Sequence, residues 1–316
     1  MRTAIVATVK DEAARLPEFL ASLERQTRVP DVIVITDGGS RDATPKVLAE
    51  FASKTSLPFR WLAAPGNRSV GRNAAIRAAG AELIAATDVS VLDQAWFERI
   101  IAPIERGDAD VVAGWYELLV DTSRERAVGL MTQWSLDQVD SARFLPSSRS
   151  VAFTRAAWER VGGYPADLVT TEDTAFDLSL RAAGLRFVFE ARAVVRWRPA
   201  TDARGAYRMY REFAESDARA RLFLRSPSRY GLIMATYAGG ALLLLLGVLW
   251  PLLWIAFALL ATAYLGIRIR KVLRAHLWSQ VPYAVVVAAS LDVAMIVGYA
   301  RGVATRSRVV RTGTGH

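Results

Sequence analysis

Near the middle of the chain, Thr171-Glu172-Asp173 opens the stretch Val169–Leu185, VTTEDTAFDLSLRAAGL. Acidic residues in a first helical turn complement the positive end of the helix dipole, and that alone accounts for many such triplets. A carboxylate held at a helix start is also suited to act as a general base, taking a proton from a hydroxyl within hydrogen-bond reach. Asp173 is therefore a candidate catalytic base. Other acidic residues stand at the ends of short apolar runs. Thr3–Val9 leads into Lys10, Asp11 and Glu12, a run over Asp31–Thr36 ends at Asp37, and Glu82–Thr87 ends at Asp88 with Ser90 just beyond.

The elements that must position these groups follow from periodicity. Thr3–Val9, Asp31–Thr36, Phe59–Leu62 and Glu82–Thr87 are short β-branched or apolar runs of the kind that form buried parallel strands. Between them, Asp11–Gln26, Pro45–Ser53 and Val70–Ala79 have helical spacing. Alternation of this kind predicts an α/β fold with a mostly parallel sheet. Ligands of such sheets bind outside the carboxyl ends of the strands. That rim is where Glu12, Asp37 and Asp88 fall. Each has an ordinary reading as a turn or cap residue, but like charges gathered on one rim are costly without a cation or sugar to bind. Further on, strands are expected over Asp110–Tyr116 and Val151–Phe153 and a helix over Arg124–Asp140. Trp115 and Tyr116 read as packing residues with pocket lining as the alternative.

These motifs, in this order, resemble the family 2 glycosyltransferases, which have a GT-A fold. Thr8-Val9-Lys10-Asp11-Glu12 matches the family's T-Y-N-E, and Asp37 to Thr44 (DGGSRDAT) its D-D/G-G-S-x-D-x-T. Asn67 to Asn73 (NRSVGRN) matches its N-x-G-x-x-x-A-R-N, Thr87 to Ser90 (TDVS) its D-x-D, and Trp158–Tyr164 its G-G-F/Y segment. The resemblance covers roughly residues 1–200. It implies that Thr8, Glu12 and Asp37 contact the base and ribose of a UDP- or GDP-sugar, that Arg68 and Arg72 hold its diphosphate through their guanidinium forks, and that Asp88 faces the ribose and the metal-bound diphosphate. Solvated helix face is the alternative for the two arginines. The resemblance also implies Asp173 as base, Glu172 as the group that orients it or binds the acceptor, and inversion at the anomeric carbon. In relatives the segment holding Ser148 and Arg149 lines the donor and acceptor pocket, which makes the two weaker pocket candidates. A divalent Mg2+ or Mn2+ is implied too. Asp88 and Ser90 are its candidate ligands, but serine stands where the family has the last Asp of D-x-D and is the weaker oxygen donor.

The bulk numbers divide the chain. Of its 316 residues 52% are hydrophobic, yet Gly231–Ile267 contains no charged residue at all. The absence of cysteine excludes structural disulfides and thiolate metal sites. A net charge of +9 raises the question of nucleic acid. The arginines, however, flank apolar segments at Arg219, Arg221, Arg225 and Arg229 and at Arg268, Arg270, Lys271 and Arg274, which fits the cytoplasmic side of a membrane. No nucleic-acid motif is present. The apolar run at Ala4–Val9 is too short for a signal peptide, so the first domain is expected in the cytosol.

The expected architecture is a GT-A domain over 1–200, an amphipathic interfacial helix within 201–230 that includes Leu222 and Phe223, and an α-helical membrane domain over 231–316. Its helices are expected at about 231–250, 252–267 and 281–300, the first two forming a hairpin that turns at Pro251. The third contains Asp292, a functional flag inside a membrane. It would also put Arg301, Arg306, Arg308 and Arg311 outside, against the positive-inside tendency, so it is either re-entrant or an exception. The expected function is a multi-pass inner-membrane glycosyltransferase with a cytoplasmic catalytic domain. It would pass a sugar to a lipid-linked or polysaccharide acceptor in the building of cell-envelope polysaccharide or glycolipid. The alternatives are a processive polysaccharide synthase, disfavoured by the missing Q-x-x-R-W segment, and a catalytically degenerate membrane scaffold.

Overall fold

The structure, a computed structural model, describes residues 1–168, 170–220 and 229–309. Val169, Arg221, Leu222, Phe223, Arg225 and Arg311, invoked above, lie outside the described residues, as do the side chains of Arg229, Arg306 and Arg308. The chain forms two units, Met1–Leu119 with Asp137–Arg198, and Val120–Leu136 with Pro199–His316.

The first unit is built on one eight-stranded sheet. Its strands are β1 (Thr3–Val9), β2 (Val32–Asp37), β3 (Phe59–Ala63), β4 (Leu83–Thr87), β5 (Val91–Leu92), β6 (Val111–Leu118), β7 (Val151–Thr154) and β8 (Phe187–Trp197), in the order β3-β2-β1-β4-β7-β6-β8-β5. The first four in that order are parallel, and β7 then runs antiparallel to both β4 and β6. Ala4 to Ala7 and every residue of β2 and β4 are buried, as strands covered on both faces must be. The helices that cover them include α1 (Leu16–Glu24), α2 (Thr44–Lys54), α3 (Arg68–Ala79), α4 (Trp96–Glu105), α6 (Arg155–Arg160) and α7 (Glu172–Ala182), with α5 (Ser123–Thr132) belonging to the second unit. Parallel register brings Thr8 beside Thr36, Val9 beside Asp37 and Ala7 beside Thr87. The functional candidates at the ends of three strands therefore share one rim.

The second unit is helical. It holds α5, α8 (Ala203–Ala220), α9 (Arg229–Leu246), α10 (Leu252–Arg274) and α11 (Val281–Val309). The helix expected over Arg124–Asp140 ends earlier, at Thr132. Its start is fixed by a capping box between Thr122 and Glu125. At its end the Thr132 hydroxyl bonds back to the carbonyls of Val128 and Gly129, and Lys271 Nζ takes the carbonyl of Gln133. Among the described residues two helices are long and apolar enough to cross a membrane, Leu252–Arg274 and Trp278–Thr305, while Tyr230–Leu246 is apolar but shorter.

Candidate active site

The loop after β1 and the loop after β2 are knitted together by their own polar groups. Asp11, at φ 55°, accepts from Arg41 N at 2.7 Å and donates its own N–H to Ser40 Oγ at 2.8 Å. Asp42 accepts from Ala13 N, and Thr44 Oγ1 accepts from Glu12 N. Asp37 is buried and accepts from the backbone and hydroxyl of Ser40, so the Gly-Gly turn after it wraps around its carboxylate. Gly39, at φ 88°, supplies the left-handed step that turn requires.

Thr8 and Thr36 meet through their hydroxyls at 2.9 Å, and α3 lies directly on them. A Cβ added at Gly71 would come within 2.0 Å of Thr8 Oγ1, so the glycine is what lets the helix approach the strand ends. The helix is capped by Asn67, whose Oδ1 accepts from Val70 N at 3.0 Å. The Nδ2 of the same residue donates to the carbonyls of Ala166 and Leu168, tying the start of α3 to the loop that precedes α7. Arg68, in the first turn of α3, is exposed. Burial raises the carboxyl of half-buried Glu12 above its ordinary value; Arg15 opposes this, Asp88 adds to it and Arg68 lowers it. Glu12, Asp88 and Arg68 thus feel one another's charge.

Asp88 ends β4. Its Oδ2 pairs with Arg149 Nε at 3.2 Å and its Oδ1 accepts from the buried Ser90 hydroxyl. The Arg149 guanidinium lies over the Trp197 ring at 4.3 Å and near that of Tyr116 at 5.8 Å. Among the described residues no group of three or more His, Cys, Asp or Glu side chains could hold a metal. Asp88 and Ser90, one carboxylate and one hydroxyl, fit a hard cation only as one shared with phosphate oxygens of a bound nucleotide.

Arg72 and Glu172, a hundred positions apart, form a buried ion pair of 2.6 Å with side chains only 6% and 4% exposed. The Arg72 guanidinium also stands over the Tyr164 ring at 5.3 Å. Arg72 is thus turned inward toward Glu172, while Arg68, at the start of α3, stays at the surface. Thr171, at φ 62°, makes a left-handed entry into α7, a conformation that strains a β-branched residue. Asp173, in the first turn, is partly exposed and accepts from Thr174 N at 2.9 Å. One turn on, Asp177 is fully buried with no hydrogen-bond partner on Oδ2. Burial, and then the charge of Asp173, push its carboxyl well above the ordinary range. Behind these groups Asn73 holds the Gly-Gly-Tyr turn. Its Oδ1 accepts from Tyr164 N and Trp158 Nε1, and its Nδ2 donates to Tyr164 O. In the sequence Asn73 is the last residue of the Asn67–Asn73 motif, and Asp177 belongs to no motif. The signal available for Asp177 is an Asp one turn beyond Asp173, between the apolar Phe176 and Leu180.

The sequence pattern of Glycosyl transferase family 2 matches residues 4–191, more than half of the chain. The chain belongs to glycosyl transferase family 2. Its sheet and helices are the GT-A fold. Among solved structures the chain is similar to the mannosyltransferase PcManGT of Pyrobaculum calidifontis, determined in complex with GDP-Man and Mn2+. The two are 18% identical with a TM-score of 0.57 over 92% of this chain and 87% of that one, a likeness of fold. Among curated proteins it is 37% identical over 92 residues to a TPR repeat-containing protein of Synechococcus elongatus, covering 28% of this chain and 21% of that one. It is 43% identical over 77 residues to an undecaprenyl-phosphate 4-deoxy-4-formamido-L-arabinose transferase of Pseudomonas fluorescens, covering 23% of this chain and 22% of that one. The chain thus spans about a fifth of the length of the curated relatives it matches.

Proposed function

We propose that this chain is a membrane-anchored, inverting glycosyltransferase that moves a sugar from a UDP- or GDP-sugar to a lipid-linked or polysaccharide acceptor at the cytoplasmic face. The observation that carries the catalytic part is the division of labour within the Glu172-Asp173 pair. Glu172 is locked by Arg72, which fixes the first turn of α7, and its neighbour Asp173 is left accessible. In that reading Asp173 takes the proton from the acceptor hydroxyl as it attacks the anomeric carbon, and the nucleoside diphosphate leaves from the opposite face. Glu172 and Arg72 are positioning residues.

Thr8, Glu12 and Asp37 line the rim where the base and ribose of the donor would sit. Arg68, exposed at the start of α3, is the diphosphate candidate, helped by the unpaired amides of that helix N-terminus. Asp88 and Ser90 would hold a divalent cation together with diphosphate oxygens, and such a cation neutralises charge on the leaving group. Arg149 already carries positive charge to the same carboxylate.

The membrane part of the reading is supported by a long apolar helix that the second unit leaves uncovered. Only 6% of the apolar window of α10 is buried. The lipid-linked acceptor draws on the Pseudomonas relative, an undecaprenyl-phosphate sugar transferase. A panel of nucleotide sugars, scored by protection against thermal unfolding and by transfer to polyprenyl-phosphate acceptors in detergent, tests the whole proposal. Protection without transfer to any lipid acceptor, alongside transfer to water-soluble glycans, would remove the lipid acceptor. No protection by any of them would remove the donor class.

A further inference from the structure

By hydropathy alone α10 and α11 are equals, each with a window of mean hydropathy 1.9. In the folded unit they differ. The apolar window is 6% buried in α10 and 44% buried in α11. What covers α11 is the decisive point. Its buried stripe, Ala284, Val287, Leu291, Met295, Gly298 and Gly302, lies mostly against two charged helices, α5 and α8, with Ile269 and Val272 of α10 also beside Ala284 and Tyr230 and Ile233 of α9 beside Met295.

At its start, Gln280 reaches Ser123 at 3.3 Å, the Arg124 guanidinium stacks over the Tyr283 ring at 4.0 Å, and the Tyr283 hydroxyl accepts from Ala203 N at 2.8 Å. Along its length α8 runs beside it in the same direction. Ala206 clusters with Val287 and Leu291. Cβ atoms added at Gly298 and Gly302 would come within 2.2 Å of the Arg211 carbonyl and 2.4 Å of the Glu215 carbonyl. These two glycines, four apart, let the backbones touch. At the far end Arg219 Nε donates to Thr305 Oγ1 at 3.1 Å.

From Val287 to Gly302 a helix rises about 22 Å, most of a hydrocarbon core of about 30 Å. If α11 crossed the bilayer, α8 would be carried in with it, together with Arg204, Arg208, Arg211, Glu212, Glu215 and Arg219. Of these, Arg204, Arg208, Glu212 and Arg219 are exposed. Charged side chains facing lipid are strongly disfavoured. The opposite stripe of α11, Pro282, Val286, Ala289, Val293 and Ala300, is exposed and apolar. An apolar stripe on one side and a protein-covered stripe on the other suit a helix lying in the plane of the interface.

We propose that α11 does not cross the membrane. The α8–α11 pair lies along the membrane surface on the side of the catalytic domain, and the α9–α10 hairpin is the part of this unit that enters lipid. This rests on the membrane reading above. It also resolves the charge conflict in the sequence, because Arg301 then stays on the same side as Arg270, Lys271 and Arg274.

The chain contains no cysteine, so single-cysteine variants of the whole protein report position cleanly. Ala304→Cys at the end of α11 and Lys54→Cys in the catalytic domain are each expressed in a bacterial membrane. Both are then treated with a membrane-impermeant maleimide in spheroplasts and in inverted vesicles. The expected result is that both label in the same preparation. Labelling of the two positions in opposite preparations would overturn the proposal, and Val303→Cys gives the same readout should Ala304→Cys fail to fold. An alkaline carbonate wash of the vesicles separates the two levels of the argument. Release of the wild-type chain would defeat the membrane reading itself, whereas retention with opposite labelling defeats only the surface placement of α11.

Discussion

The Arg72–Glu172 pair separates two roles that the sequence motif leaves merged. A guanidinium reserved for a diphosphate would stand free in the unbound protein, whereas this one is buried on a carboxylate at 2.6 Å. Breaking a buried pair from one side leaves a charge stranded, typically at a cost of about 3–5 kcal/mol. Arg72→Met should therefore lower stability by that order, and the double variant with Glu172→Gln should recover much of it. If Arg72 were instead a donor clamp, Arg72→Met would keep its thermal midpoint and raise the KM for the nucleotide sugar. Asp173→Asn should leave donor protection intact and cut kcat by about 10²–10⁴ where the acceptor is a hydroxyl. The loss should be smaller for a polyprenyl phosphate, whose oxygen is already ionised. Asp177 behaves differently again. Its carboxyl is raised well above 3.8 by burial, so the folded state holds the proton more tightly than the unfolded chain. Its contribution to stability is complete below pH 3.8 and is lost as pH rises through the raised value. Asp177→Asn mimics the neutral form. Thermal midpoints measured from pH 4 to 9 should fall less steeply in the variant, with the gain over wild type growing toward alkaline pH.

At the scale of elements, the strand ends were legible because one physical rule, burial on both faces, fixes both their composition and their length. β1 spans Thr3–Val9 as read, and Asp37 and Asp88 stand at their strand ends as read. The order of the sheet beyond β4 was not legible. β7 inserts antiparallel between β4 and β6, and the β6–β8 register slips at Gly114/Trp115, features set by tertiary pairing that leave no periodic trace. The Arg72–Glu172 and Asp88–Arg149 pairs were hidden for the same reason, since neither partner has a local signal for the other. Gly71 is an intermediate case. The sequence places a glycine in mid-helix, where it weakens the helix, and only the fold shows Thr8 and Thr36 beneath it. Gly71→Ala improves helix propensity yet must push α3 off the strand ends. Overpacking of this kind costs about 1–3 kcal/mol, so the variant should melt earlier and bind donor more weakly. A variant that is more stable than wild type would mean that α3 does not rest on Thr8.

For the whole molecule, composition divided the chain into a polar-apolar sheet unit and an apolar tail, while the partners that tail makes with itself came only from the fold. Asp292 is the clearest instance. Hydropathy marks it as an anomaly in an apolar helix, and the structure buries it completely at a junction of three helices. Its carboxylate receives Arg268 of α10 at 2.7 Å, Tyr264 of α10 at 2.6 Å and Tyr237 of α9 at 3.2 Å. Every helix of the hairpin is thus fastened to α11 through one carboxylate. Among the described residues Arg268 Nε is left without a partner, but three donors from two helices converge on one carboxylate, which ties the arrangement to Asp292. Arg268→Leu leaves Asp292 buried without its cation and should destabilise the purified protein in detergent by about 3–5 kcal/mol. Adding Asp292→Asn to Arg268→Leu removes the stranded charge while keeping an acceptor for both tyrosines, so much of the loss should return. The measurement is the thermal midpoint of the three proteins in one detergent. A double variant no better than the single one would show that Arg268 is held by its other surroundings and not by Asp292. The hairpin would then be fixed to α11 by apolar packing alone.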